Sequence, residues 1–259
     1  MSIGIFDSGV GGLTVFQSIS QIFPQVDIYY LGDSARVPYG NKSKETIIRY
    51  SLECASYLYE RFRIDVLVVA CNTASSYALE VLKNYFDIPV IGVVEPGVEA
   101  ALEVSTNRKV GVIGTYATIN SNSYRSEILK RDCNVDVYQK PCPLFVPLVE
   151  EGMIEHPVTY LMVKEYLQEL VDFGIDTLIL GCTHYPLLKD TISSVYPNLK
   201  IVDSSKAIID KIKPFCSKEE KGTRRIFFTD LSSSFKKFEK LLLADSKIEK
   251  IELSELCKI

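Results

Sequence analysis

The sequence predicts an α/β protein made of two pseudo-symmetric open α/β domains with mostly parallel sheets, facing each other across a cleft. Three observations carry this. Short Val/Ile-rich runs alternate with segments of helical period, the pattern of strands covered on both faces by helices. Two separate stretches of the chain repeat one another. At 259 residues, 47% of them hydrophobic and 24% charged, the chain is long enough for two compact cores.

The candidate strands are Ile3–Phe6, Ile28–Leu31, Val66–Ala70, Val90–Val93, Val110–Ile113, Val135–Gln139, Thr177–Gly181 and Lys200–Val202. Between them, Ser43–Arg63 places Ile48, Leu52, Ala55, Tyr59 and Phe62 at three- and four-residue steps, and Pro157–Phe173 does so with Val158, Leu161, Met162, Tyr166 and Leu170. Ser75–Phe86 is a third helix. Strand-then-helix alternation implies right-handed crossovers and parallel sheets.

The repeat is more specific. Asp65-Val-Leu-Val-Val-Ala-Cys71-Asn-Thr73 matches Asp176-Thr-Leu-Ile-Leu-Gly-Cys182-Thr-His184, with the cysteines 111 residues apart. Ile3-Gly-Ile-Phe-Asp-Ser8 matches Val110-Gly-Val-Ile-Gly-Thr115 at an offset of 107. Two offsets this close imply a duplicated α/β half. The halves run over 1–94 and 95–203. The Lys-rich tail, 204–259, holds a helix, the apolar run Arg225–Thr229 and a final helix. It is expected to return to the first half and make that domain discontinuous.

Charge and cysteine usage narrow the function. Net charge is −4 with no Lys/Arg-rich run, so nucleic acid is not an expected partner. No run reaches the ~20 apolar residues of a membrane span. The N-terminus, Met1–Gly9, has no basic segment followed by an apolar stretch, so a cytoplasmic location is expected. Seven cysteines with no CxxC pair then read as reduced thiols.

Cys71 and Cys182 each follow a strand directly, where open α/β folds bind ligands. Each precedes a helical segment, whose N-terminus favours thiolate. Two halves related by a pseudo-twofold would bring both sulfurs to opposite sides of one ligand. That geometry suits inversion at carbon: one thiolate removes a proton and the opposing thiol supplies another. A disulfide would need Cα atoms within roughly 7 Å and leave no room for a ligand.

Other side chains cluster around this pair in sequence. Asn72 and Thr73 follow Cys71, and Thr183 and His184 follow Cys182, offering donors for carboxylates and, in His184, a group able to orient or deprotonate Cys182. Cys182-Thr-His184 also has zinc-like chemistry, but the second histidine, His156, stands in no ligand spacing, so no metal is expected. Asp7-Ser8-Gly9-Val10-Gly11-Gly12 is neither GxGxxG nor a P-loop. It is expected to cradle a substrate carboxylate, with Asp7 near an ammonium group or a cysteine. Val37-Pro38-Tyr39-Gly40-Asn41 by itself reads as a turn.

With these residues in view, the sequence resembles the bacterial glutamate racemases. The matching segments are Phe6–Gly12, Gly32–Gly40, Val69–Ser75, Gly114–Thr118, Phe145–Glu150 and Gly181–His184. The resemblance implies interconversion of L- and D-glutamate without pyridoxal phosphate or any other cofactor, D-glutamate supply for peptidoglycan, and a homodimer. It implies that Cys71 handles the D-isomer proton and Cys182 the L-isomer proton, with Asp7, His184 and Glu150 as supporting acid–base groups. Ser8, Tyr39, Gly40, Asn72, Thr73 and Thr183 fall on substrate-binding positions, and Thr115 and Thr118 on a further pair. Two rival readings are an aspartate racemase or decarboxylase of the same superfamily, and a two-lobed α/β binding protein without catalysis.

Overall fold

The computed structural model describes residues 1–216, 222–231, 238 and 246–256. Among them are ten strands in two all-parallel sheets. The first contains β1 (Ser2–Asp7), β2 (Asp27–Gly32), β3 (Val66–Val69), β4 (Val90–Gly92), β9 (Arg224–Phe228) and β10 (Lys247–Lys250), in the order β10-β9-β2-β1-β3-β4. The second contains β5 (Lys109–Gly114), β6 (Asp136–Pro141), β7 (Thr177–Gly181) and β8 (Lys200–Asp203), in the order β6-β5-β7-β8.

The two sheets repeat one design. β2-β1-β3-β4 and β6-β5-β7-β8 have the same order and direction. In the first sheet Ile3 pairs with Val66; in the second Val110 pairs with Thr177. These are the positions equated by the internal repeat. All eight expected strands form, most shifted at an end by one or two residues. β9 and β10 extend the first sheet beyond β2, with β9 pairing to β2 and β10 to β9. Of the final helix expected after the apolar run Arg225–Thr229, the described residues show one turn, Leu253–Leu256.

The Asp of each repeat stitches the strand to its sheet. Asp65 Oδ2 accepts from the Ser2 amide at 2.7 Å and its hydroxyl at 3.2 Å. Asp176 accepts from the Thr106 and Asn107 amides at 2.6 and 3.0 Å, and from the Ser105 and Thr106 hydroxyls, both at 2.8 Å. Burial alone would raise the Asp176 pKa, but these donors outweigh it and hold the carboxyl well below the usual range.

The helices need two corrections. In α2 (Lys44–Phe62) the buried face is Ile47, Ser51, Cys54, Ala55 and Leu58, while Ile48, Leu52, Tyr59 and Phe62 are only partly covered. In α9 (Pro157–Asp172) it is Thr159, Val163, Leu167 and Leu170, while Val158 and Leu161 are 41% and 65% exposed. Both stripes are displaced by one residue because each helix carries apolar residues on adjacent faces, and only packing against the sheet selects one. The segment Ser75–Phe86 is two helices, α3 (Asn72–Tyr77) and α4 (Leu79–Tyr85), broken at Ala78.

One apolar cluster runs without interruption from Ile3 and Ile5 of β1 to Leu178 and Leu180 of β7, so the sheets share a core. No helix among the described residues is long and apolar enough to cross a membrane.

Replacing Asp176 by Asn should cost about 1–3 kcal/mol of stability at pH 7. A carboxyl whose pKa is lowered by folding stabilises the fold above its unfolded value and loses that contribution as pH falls through the folded value. Denaturant unfolding at pH 7 and pH 3 should therefore show the difference narrowing below about pH 4. An unchanged difference would mean that the charge is not its source.

Candidate active site

Cys71 stands immediately after Ala70 at the end of β3, and Cys182 immediately after β7. Both sulfurs face one cavity, lined also by Ser8, Val37, Pro38, Tyr39, Gly40, Asn72, Thr73, Thr115, Val146, Thr183 and His184. The free volume is about 20 Å³, room for roughly one water molecule. A larger cavity of about 320 Å³, lined by residues including Glu80, Lys83, Glu127 and Arg131, contains neither cysteine. Size does not select the site here; the convergence of titratable groups does.

The sheets can meet this closely because glycines leave room. A Cβ on Gly11 would overlap the Thr183 hydroxyl and sit 2.7 Å from His184 Nδ1, and one on Gly40 would overlap Thr115. The Gly-rich loop after β1 thus lets the loop after β7 approach, a use its composition alone does not reveal.

The two cysteines have unlike surroundings. Cys71 caps α3: its sulfur accepts from the Ala74 amide at 3.5 Å and donates to Ser8 Oγ at 3.4 Å. Burial, with a further push from the Asp7 carboxylate, raises its pKa to about 12 against the lowering contacts of Ser8 and Ala74. Cys182 is followed by a 3-10 turn, Tyr185–Leu188, that leads directly into an α-helix, Lys189–Val195. Its sulfur lies 3.8 Å from His184 Nδ1, and His184 Nε2 lies 3.1 Å from Glu150 Oε1. Burial works against a charged imidazole, but the Cys182 sulfur and the Glu150 carboxylate outweigh it and raise the His184 pKa to about 10.

Asp7, fully buried at the end of β1, accepts from the Gly9 amide at 2.9 Å and from Thr183 Oγ1 at 3.2 Å. Burial raises its pKa; His184 and the hydrogen bonds oppose the rise. Thr73, Thr115 and Thr118 form a triangle of hydroxyls with all three separations 3.0 Å, bridging the two sheets. Asp7, Thr118 and Glu150 therefore stand one hydrogen bond behind the lining, and the other named residues form it. Among the described residues no group of three or more His, Cys, Asp or Glu is arranged to hold a metal ion.

Some contributors left no trace in the sequence. Tyr124, from α7 (Ser123–Arg131), accepts a hydrogen bond from Asn72 Nδ2 at 2.7 Å across the cleft, and Tyr30 donates to the Gly9 carbonyl at 2.6 Å. Neither tyrosine lies in a motif. Pro38 and Val146 lie inside segments that carried the resemblance, so their place at the cleft had a sequence signal.

The sequence profile of the Asp/Glu/Hydantoin racemase family matches residues 3–212. Glutamate racemase from Sulfurihydrogenibium sp. (strain YO3AOP1) is 63% identical over 260 residues, covering 100% of both chains. The crystal structure of glutamate racemase isoform RacE1 from Bacillus anthracis superposes with a TM-score of 0.92 at 36% identity, covering 97% of each chain. The crystal structure of glutamate racemase from Francisella tularensis, in complex with D-glutamate, does so at 0.90 and 36%, covering 98% of this chain and 97% of that one. With two thiols at equivalent strand ends of a duplicated α/β fold, and a profile match over most of its length, the chain is an isomerase belonging to the Asp/Glu/Hydantoin racemase family.

Proposed function

We propose that the chain interconverts L- and D-glutamate by proton transfer between two thiols, without pyridoxal phosphate or a metal. The observation that supports this most is the placement of Cys71 and Cys182 at equivalent strand ends facing one cavity. Glutamate is the substrate named for the full-length relatives.

In the L-to-D direction the Cys182 thiolate takes the Cα proton, and the Cys71 thiol gives its proton to the opposite face of the carbanion. The starting arrangement is then Cys71 thiol and Cys182 thiolate. Burial and Asp7 keep Cys71 protonated, while a cationic His184, backed by Glu150, stabilises negative charge beside the Cys182 sulfur. In the D-to-L direction the two thiols exchange roles. Ser8, Asn72, Thr73, Thr115 and Thr183 supply donors for the substrate carboxylates, Thr118 supports Thr73 and Thr115 from behind, and the loop at Tyr39 and Gly40 forms one wall. A glutamate exceeds the free volume present, so the cleft must open to admit it and close again. Closure excludes water and strengthens the donors that stabilise the developing carbanion. The product D-glutamate would feed peptidoglycan synthesis; cells depleted of the protein should then grow only with added D-glutamate.

Circular dichroism of L-glutamate in D₂O should show racemisation with deuterium entering at Cα. C71A and C182A should each reduce racemisation at least about 10³-fold, since both faces need a proton carrier. Near-normal racemisation in either variant would remove the two-thiol mechanism, and turnover of aspartate in preference to glutamate would remove the substrate.

The pH profile tests the polarity. Cys71 as the acid works only while protonated, so in the L-to-D direction activity falls as pH rises through its raised pKa. The alkaline limb of kcat/KM should lie above the ~8.5 of a free thiol. D7N removes a negative charge that adds to the rise, so the limb should move to lower pH. A wild-type limb at or below pH 8.5 would exclude Cys71 as that acid.

A further inference from the structure

Behind the cleft lies a buried ionic cluster that the mechanism above leaves unused. Asp33, directly after β2, is fully buried. Its Oδ2 accepts from Arg36 Nε at 2.7 Å and from the Tyr39 hydroxyl at 2.5 Å, and its Oδ1 accepts from Thr229 Oγ1 at 3.0 Å. Its amide donates to the Asp7 carbonyl at 3.0 Å. The Arg36 guanidinium also pairs with Glu53 of α2 and stacks on the Tyr50 ring, 4.0 Å from its centroid. The cluster therefore gathers the loop after β2 and the residue after β9 onto one carboxylate, and Arg36 ties that carboxylate to the middle of α2.

Buried ion pairs add little net stability over apolar packing of the same shape, because desolvation consumes most of the Coulomb gain. What such a cluster supplies is fixed geometry, and here the fixed element is Tyr39. Its hydroxyl is turned to Asp33, so only its ring and backbone are left to face the cleft. The next residue, Gly40, meets Thr115 of the opposite sheet.

We propose that Asp33 and Arg36 are positioning residues: acting through the Tyr39 hydroxyl, they hold the loop 37–41 as a preformed cleft wall on which glutamate binding depends. This rests on the reading of the cleft as a glutamate site. The hydroxyl of Tyr39 serves the loop, and the substrate meets the wall that the loop presents.

The test uses the full chain and the variants Y39F, R36K and T229V, each checked for folding by far-UV circular dichroism. Y39F deletes only the hydroxyl. R36K keeps the charge but loses the fork that joins Asp33 to Glu53. Steady-state kinetics with L-glutamate should show KM raised about tenfold in Y39F and R36K, as for a lost charge-assisted hydrogen bond, with kcat changed less than about threefold. T229V, which removes one contact on the far oxygen, should raise KM less. Amides of residues 37–42 should exchange with D₂O faster than in the wild type in Y39F and R36K, while those of β1 and β7 stay protected. The proposal is overturned if folded Y39F and R36K keep KM within twofold of the wild type, or if exchange over 37–42 is unchanged. Should the wild type itself fail to turn over glutamate, the substrate reading falls, and the exchange measurement alone decides whether the cluster holds the loop.

Discussion

At Gly11 the loop after β1 lies against Thr183 and His184 of the loop after β7, with no space for a Cβ between them. That contact sets the distance between the two sheets at their strand ends. Asp7 reaches Thr183, the three threonine hydroxyls close their triangle and Asn72 reaches Tyr124 only because the halves meet this tightly. A side chain at position 11 would part the sheets on the side where Cys182 stands. Gly40 does the same service against Thr115 on the other wall. The cleft is thus built by omission: small residues where backbones must touch, with polar side chains pressed into the space that remains.

Duplication supplies a symmetric frame, and the side chains that fill it break the symmetry. Both cysteines end the strand next to the first strand of their sheet, in the same register. One caps a helix and faces a serine and a buried carboxylate; the other faces a histidine backed by a glutamate. In the proposed reaction the two faces of the substrate carbon are therefore served by sulfurs in unlike surroundings, one beside a carboxylate and the other beside a histidine.

How much was legible follows from the range of each interaction. Strands were readable because an interior parallel strand is covered on both faces and so appears as an unbroken Val/Ile run, as at Val66–Val69 and Thr177–Gly181. The buried faces of α2 and α9 were misplaced by one residue because Ile47 and Ile48, or Met162 and Val163, are chemically near-equivalent choices until a sheet packs against one of them. The 3-10 turn after Cys182 was likewise not readable. His184, not a row of helical amides, faces that sulfur.

By itself the sequence determined the parallel α/β class, the duplication and the two cysteines as its matched points, since each is written in neighbouring residues or in a repeat that can be aligned without coordinates. The resemblance carried by local motifs added the substrate class and most of the cleft lining. Only the tertiary structure decided which polar groups answer one another. Thr183 bonds to Asp7 across 176 positions, Thr229 to Asp33 across 196 and Asn72 to Tyr124 across 52. A hydrogen bond depends on a separation of about 3 Å and a direction. Neither is encoded by spacing along the chain once two sheets have folded against each other.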